Sequence, residues 1–230
     1  VKAGDVIESR MPENEFPMAT GANHSVLIAG GIGITPILSM LHRLTSEGRS
    51  FAMHYSAQTH SEFALRDRIA EIAGDSVHFY ASRDPHGQRL DLRRLLSTQR
   101  PGVHVYVCGP RRMISAVRET AAALDWPSAQ IHFESFGAEP SADDGPIRIH
   151  LAKSNRMLTV PAERSILDTL LDAGVNVAHD CKRGECRMCT TRVLDGKPDH
   201  RDLCLNPEER IFSMCVCVSR ALGEELQLDL

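Results

Sequence analysis

The chain has 230 residues, 42% hydrophobic and 24% charged, with a formal net charge of −4. That length holds one large domain or two ordinary ones, and the composition excludes a disordered or coiled-coil chain. The mild acidic balance gives no electrostatic reason to expect nucleic acid or an anionic membrane as partner.

The opening residues Val1-Lys2-Ala3-Gly4-Asp5 read as the middle of a longer chain, and no basic, apolar leader precedes them. The expected location is therefore cytoplasmic. The longest apolar run, Val26 to Leu38, is thirteen residues broken by three glycines, a threonine and a proline, too short to span a bilayer.

Over residues 20–135, short β-type runs alternate with amphipathic helical patterns. Strands are expected at 25–29, 51–57, 76–81, 103–108 and 129–133, and helices at 36–46, 61–72, 91–98 and 110–124. This alternation predicts a doubly wound α/β fold, a five-stranded parallel sheet with helices on both faces. Residues 137–146, rich in Gly, Pro and Asp without periodicity, read as a linker. Beyond it come strands at 147–152 and 157–160, a helix at 165–173, a cysteine-rich loop, a strand at 190–194, a short helix at 206–211 and a closing strand at 226–230. That order suits a small mixed α+β domain wrapped around a cofactor loop.

The first expected strand runs into Gly30-Gly31-Ile32-Gly33-Ile34-Thr35-Pro36. Thr35 is a good helix N-cap residue and Pro36 suits the first helical position. Glycines let backbone N–H groups approach a ligand, and a helix N-terminus favours an anion such as a pyrophosphate. The turn departs from the dinucleotide fingerprint, because Pro36 stands where a third glycine belongs. Cys108-Gly109-Pro110 forms a second turn at the end of the fourth strand, on the edge where open α/β sheets bind ligands.

Six of the seven cysteines crowd into the last fifty residues, which points to metal rather than to a disulfide framework. Cys181-x4-Cys186-x2-Cys189, with Cys217 after a gap of 27 residues, has the spacing of plant-type 2Fe–2S ligands. Gly184 leaves room for N–H groups to turn toward the sulfurs. The rival is structural zinc on Cys186, Cys189, Cys215 and Cys217, though zinc usually takes two matched Cys-x2-Cys pairs.

Together, Gly30–Pro36, Cys108-Gly109-Pro110, Phe133-Glu134-Ser135-Phe136, the cysteine loop, Pro198-Asp199-His200-Arg201-Asp202 and Cys217-Val218-Ser219-Arg220 resemble the phthalate dioxygenase reductase family. The resemblance covers nearly the whole chain. It implies an NAD-binding domain at 20–136 and a β-grasp 2Fe–2S ferredoxin domain at 147–230, with residues 1–19 as the tail of a flavin-binding barrel. It also implies FMN held by that barrel, NADH as donor and an oxygenase as acceptor, either a separate Rieske enzyme or a fused haem-thiolate monooxygenase. A hydride carries two electrons and a 2Fe–2S cluster accepts one, which is why a flavin is needed between them.

By the same resemblance, Cys108 lies near the nicotinamide, Glu134 and Phe136 face the flavin, and Cys181, Cys186, Cys189 and Cys217 hold the cluster. Ser82-Arg83 resembles the NADP-binding pair of plant ferredoxin reductases. The further tyrosine of that motif has no counterpart, and Asp91 follows Arg89-Leu90, so NADH is the expected donor. Two departures stand out: Arg187 where the family has glycine, and the extra thiol Cys215. The loop 179–192 also carries four bases against two acids, a basic collar suited to an acidic partner. The alternatives in other classes are a redox sensor without turnover and a zinc-stabilised interaction module.

Overall fold

The computed structural model describes residues 2, 4–9, 11, 14–98, 102–137 and 144–230. Its described residues form two compact units. The second comprises Ser135–Leu230 together with Gly109–Ala116, and the first takes the rest.

The first unit contains strands β1 (His24–Gly30), β2 (Phe51–Ala57), β3 (Val77–Ala81), β4 (Val103–Cys108) and β5 (Ile131–Glu134). They form one sheet in the order β3-β2-β1-β4-β5, with every pair parallel. Helices α1 (Ile34–Ser46), α2 (Arg66–Ala73), α3 (Leu92–Ser97) and α4 (Arg111–Ala123) connect them. This is the doubly wound sheet that the strand–helix alternation implied. Val26 through Ala29 are fully buried, as expected of a central parallel strand covered on both faces. Leu27, Ala29, Met53, Tyr55, Ala81, Tyr106 and Cys108 share a core with α1 and α2.

The boundaries moved where local chemistry decided them. A 3-10 turn at Gly31–Gly33 leads directly into α1, so the helix begins at Ile34, with Gly33 in the cap position and no side-chain cap. Thr35 is therefore not the N-cap; its hydroxyl donates to the Ile32 carbonyl at 3.0 Å. Pro36 is the third helical residue, still within the first turn, where its missing N–H costs no helical bond. The helix expected at 61–72 is split, because Leu65 adopts φ +58° and α2 begins only at Arg66.

The second unit contains β6 (Ile147–Leu151), β7 (Arg156–Val160), α5 (Ile166–Asp172), β8 (Thr190–Asp195), β9 (Pro198–Asp199), β10 (Ser213–Cys215), β11 (Arg220–Ala221) and β12 (Glu225–Leu228). The sheet order is β10-β8-β12-β6-β7, with β12 parallel to β6 and the other pairs antiparallel. Strands β9 and β11 make a separate two-stranded ribbon. Ser165 caps α5 by accepting from the Asp168 N–H at 2.9 Å. The helix expected at 206–211 shrinks to a 3-10 turn at Glu209–Ile211. Of the expected linker, residues 138–143 lie outside the described residues. Its end is anchored: Arg201 donates to Asp144 at 2.7 Å, and Arg220 to the Gly145 carbonyl at 2.9 Å.

Candidate functional site

In the first unit the strand order reverses between β1 and β4, the position where open parallel sheets bind ligands. The register aligns Ala29 with Cys108 and Cys108 with Glu134. The Gly30–Gly33 loop, the turn at Gly109-Pro110 and the exit after Glu134 thus all leave the same sheet edge. Gly31 is exposed with φ +54°, a conformation that disfavours any side chain. Its carbonyl accepts from the Tyr55 hydroxyl at 3.3 Å, which pins the loop to the core. No side chain caps this turn, and the N–H groups of an uncapped helix start are suited to an anion. Cys108 is fully buried at the strand end, and Phe136 is half exposed.

The ends of β2 and β3 are tied together beside that edge. The Ser82 and Arg83 N–H groups donate to the Ala57 and Gln58 carbonyls at 3.0 and 2.8 Å. The Asp84 carboxylate accepts from the His60 N–H at 3.1 Å and from its ring, which holds its pKa below the usual carboxylate value. Asp84 therefore puts a fixed negative charge next to the exposed Arg83, a feature the sequence reading missed. Asp91, by contrast, caps α3, accepting from the Arg94 N–H at 2.9 Å.

In the second unit the loop after α5 gathers the thiols. Burial would raise the Cys181 pKa, but the N–H groups of Arg183, Glu185 and Cys186 more than offset it. The Arg183 N–H lies 3.4 Å from the Cys181 sulfur. Hydrogen bonds from the Cys215 and Cys217 thiols hold Cys189 at about 3 despite its burial. The Cys217 thiol, donating to Cys189 and buried, is pushed up; it also receives the Gly184 N–H and feels Cys181. Cys186 is raised by burial and is hydrogen-bonded to Cys181. Backbone N–H groups converging on closely set sulfurs suit an anionic multi-thiolate cluster. Cys215 and Cys217 thus both reach Cys189, and Cys215 also lies against Cys204 and Thr190, at 3.5 and 3.7 Å.

Two positions shape the loop. At Gly184, φ +76°, an added Cβ would stand 2.6 Å from the Val218 Cγ2 and 3.0 Å from the Asp202 Cα. At Arg187 φ is +68°. Its carbonyl accepts both the N–H and the hydroxyl of Thr190, at 3.0 and 2.7 Å, and its guanidinium pairs with Glu209. These contacts hold a backbone conformation that an L-residue otherwise adopts at a cost of about 1–2 kcal/mol.

The basic collar is largely neutralised. Lys182 pairs with Asp168 at 2.9 Å and Arg183 with Glu185 at 3.8 Å, while Arg187 has Glu209. Counting charge along the loop missed Asp168 and Glu209 because both come from other segments. Arg201, quoted above only as part of a motif, is bound to Asp144 and to Asp199 at 2.7 and 2.6 Å, with its pKa driven upward by those carboxylates.

A doubly wound sheet with an open glycine turn, on the same chain as a ferredoxin-type four-thiol loop, defines an iron–sulfur electron-transfer oxidoreductase. Family models agree: residues 5–131 match the dimethylamine monooxygenase subunit DmmA-like N-terminal domain, and residues 149–222 match the 2Fe–2S iron–sulfur cluster binding domain. Phthalate dioxygenase reductase of Burkholderia cepacia is 39% identical over 99% of this chain and 71% of its own length. The carnitine monooxygenase reductase subunit of Escherichia coli is 39% identical over 100% of this chain and 72% of its own length. A solved phthalate dioxygenase reductase, described as transferring electrons from pyridine nucleotides to [2Fe–2S], superposes with TM-score 0.73 at 38% identity, covering 95% of this chain and 69% of that one. An intact self-sufficient cytochrome P450 monooxygenase matches with TM-score 0.57 at 35% identity over 96% of this chain but 29% of that one. The chain belongs to the phthalate dioxygenase reductase family. It is a redox enzyme component with a 2Fe–2S domain, and the zinc module falls with that result.

Proposed function

We propose that this chain accepts electrons originating from NADH at the β1–β4 edge and passes them singly, through a cluster on Cys181, Cys186, Cys189 and Cys217, to an oxygenase. The observation that carries the nucleotide half is the uncapped Gly30–Gly33 turn at the strand-order reversal, in register with Cys108 and Glu134. Gly30, Gly31, Gly33, Thr35 and Pro36 would face the pyrophosphate, with Gly109 and Pro110 across the reversal and Ser82 and Arg83 beside the adenosine ribose. Cys108, Glu134 and Phe136 would border the nicotinamide and the flavin. The 2Fe–2S cluster supplies a one-electron centre, and FMN is the two-to-one-electron converter that the scheme requires.

The preference for NADH rests on Asp84, whose charge opposes a 2′-phosphate near Arg83. The cytoplasmic reading rests on seven free cysteines, since a cluster needs its thiols kept reduced. The net charge gives no electrostatic reason for a nucleic-acid or anionic-membrane partner, and no described helix is long and apolar enough to cross a membrane. Binding titrations with NADH and NADPH, combined with iron and acid-labile sulfide analysis, test the reading. We expect iron and sulfide in equal amounts, and NADH bound roughly tenfold tighter than NADPH, on the order of 1.4 kcal/mol. Equal affinities would remove the donor assignment, and a colourless zinc protein would remove the cluster. The redox-sensor alternative predicts nucleotide binding without steady transfer to any acceptor.

A further inference from the structure

Cys204 and Cys215 are the two thiols of the second unit that stand outside the four assigned to the cluster. Cys204 is half-buried in the loop after β9, and Cys215 is fully buried at the end of β10. Their sulfurs are 3.5 Å apart across an eleven-residue separation. Backbone hydrogen bonds fix the segment on each side. Leu203 donates to the Gly184 carbonyl at 2.9 Å, and Leu205 to the Asp202 carboxylate at 2.9 Å. Cys215 sits opposite Thr190 in the sheet, and its carbonyl accepts from Val218 and Ser219 at 3.3 and 3.0 Å.

We infer that Cys204 and Cys215 form a reversible disulfide when the protein meets a peroxide, leaving the four-cysteine loop intact. A disulfide needs sulfurs about 2.0 Å apart, so the pair must close by about 1.5 Å. The half-buried Cys204 sulfur attacks hydrogen peroxide; an S–O bond forms, the O–O bond breaks, and one oxygen leaves as water. The Cys215 sulfur then attacks the Cys204 sulfur; the S–S bond forms, the S–O bond breaks, and the second oxygen leaves as water. Two thiols lose two electrons, and one peroxide becomes two waters. A resolving thiol within reach stops Cys204 from advancing to irreversible acids.

A metal ion is the other possible use of this pair, because Asp202 lies within 4.8 Å of both sulfurs. The second carboxylate oxygen of Asp202 is already held by the Leu205 N–H and by the Arg210 guanidinium at 3.2 Å, a fixed positive charge that opposes a cation. The inference depends on the cluster assignment only for which thiols are spared.

The experiment treats the cluster-loaded chain with one equivalent of hydrogen peroxide under anaerobic conditions. Remaining thiols are alkylated in denaturant and the digest is mapped by mass spectrometry without reduction. The expected result is a peptide linking Cys204 to Cys215, two fewer alkylated thiols, and unchanged visible bands. The linked peptide should vanish in both Cys204→Ser and Cys215→Ser, and in Cys215→Ser a dimedone adduct should appear on Cys204. Cys204→Ala serves as a second variant if serine disturbs folding. Recovery of both thiols in alkylated form, or a link joining either of them to Cys189 or Cys217, overturns the inference. Loss of the visible bands from untreated protein would instead count against the cluster assignment and would be seen before any peroxide is added.

Discussion

The first unit buries both faces of its central strands and leaves its ligand edge to main chain, whereas the second buries one sheet face and builds its site from side chains. In the first, apolar residues fill β1 and β4, and what remains at the edge is glycine, carbonyl and N–H. In the second, β8 exposes alternate residues over most of its length, and the site depends on a loop with φ +53° at Lys182, +76° at Gly184 and +68° at Arg187. A site made of backbone tolerates substitution in the surrounding core; one made of sulfurs on a constrained loop does not. Damage is therefore expected to be graded in the first unit and close to all-or-none in the second.

The largest expected effect separates two neighbouring cysteines. Cys217→Ser should abolish or strongly alter the visible spectrum of the cluster, while Cys215→Ser should leave it in place; the reverse pattern would move the fourth ligand to β10. Next comes Gly184→Ala. A methyl group driven into Val218 and the Asp202 backbone at positive φ should cost about 3 kcal/mol or more and empty the cluster site. The single tryptophan, Trp126, belongs to the first unit, so its unfolding transition should stay where it is. A matching shift of the Trp126 transition would show that the two units do not respond independently.

The first unit should show its own weakness in acid. His54 is buried on β2 against His78 and Tyr80 of β3, and burial followed by the charge of His78 lowers its pKa from 6.5 to about 4. It stays neutral in the folded chain yet takes a proton when unfolded, so the unfolded state binds more protons between about pH 6.5 and 4. Stability is therefore full above about pH 6.5 and falls as the pH drops toward 4, by on the order of 3 kcal/mol from this residue. Urea unfolding followed at Trp126 should show that loss, and His54→Phe should flatten it. An identical slope in the variant would assign the acid sensitivity elsewhere. The smallest effect belongs to Arg187→Gly. Relief of about 1 kcal/mol of backbone strain is set against an exposed ion pair of similar worth, so the melting temperature should move by only a few degrees and the cluster should remain.

The parallel sheet was legible because burial on both faces writes itself as Val, Ile, Leu and Ala runs spaced by helical patterns. All five strands were foreseen, with β2 and β4 at their observed limits. Helix starts were less legible. A threonine and a proline in sequence look like a cap and a first turn, but the 3-10 turn at Gly31–Gly33 had already started the helix upstream. The short strands β9, β10 and β11 escaped notice because two or three residues carry no periodicity, and only their partners define them.

Residue order alone carries the alternation that forces a doubly wound sheet, the glycine turn after its first strand, and a cysteine spacing that few metal centres share. These are local properties, set by backbone freedom, hydrophobic period and ligand count along one stretch of chain. Which charges meet follows from the folded chain. Asp168 and Glu209 neutralise a collar that looks basic in sequence, Asp84 reaches His60 beside Arg83, and Asp144 is claimed by Arg201 from 57 residues away. The structure alone also brought Cys204 to Cys215 and put Arg187 in a left-handed conformation. Electrostatic and thiol contacts act over a few ångströms of space, and nothing in the order of residues fixes which distant side chains come that close.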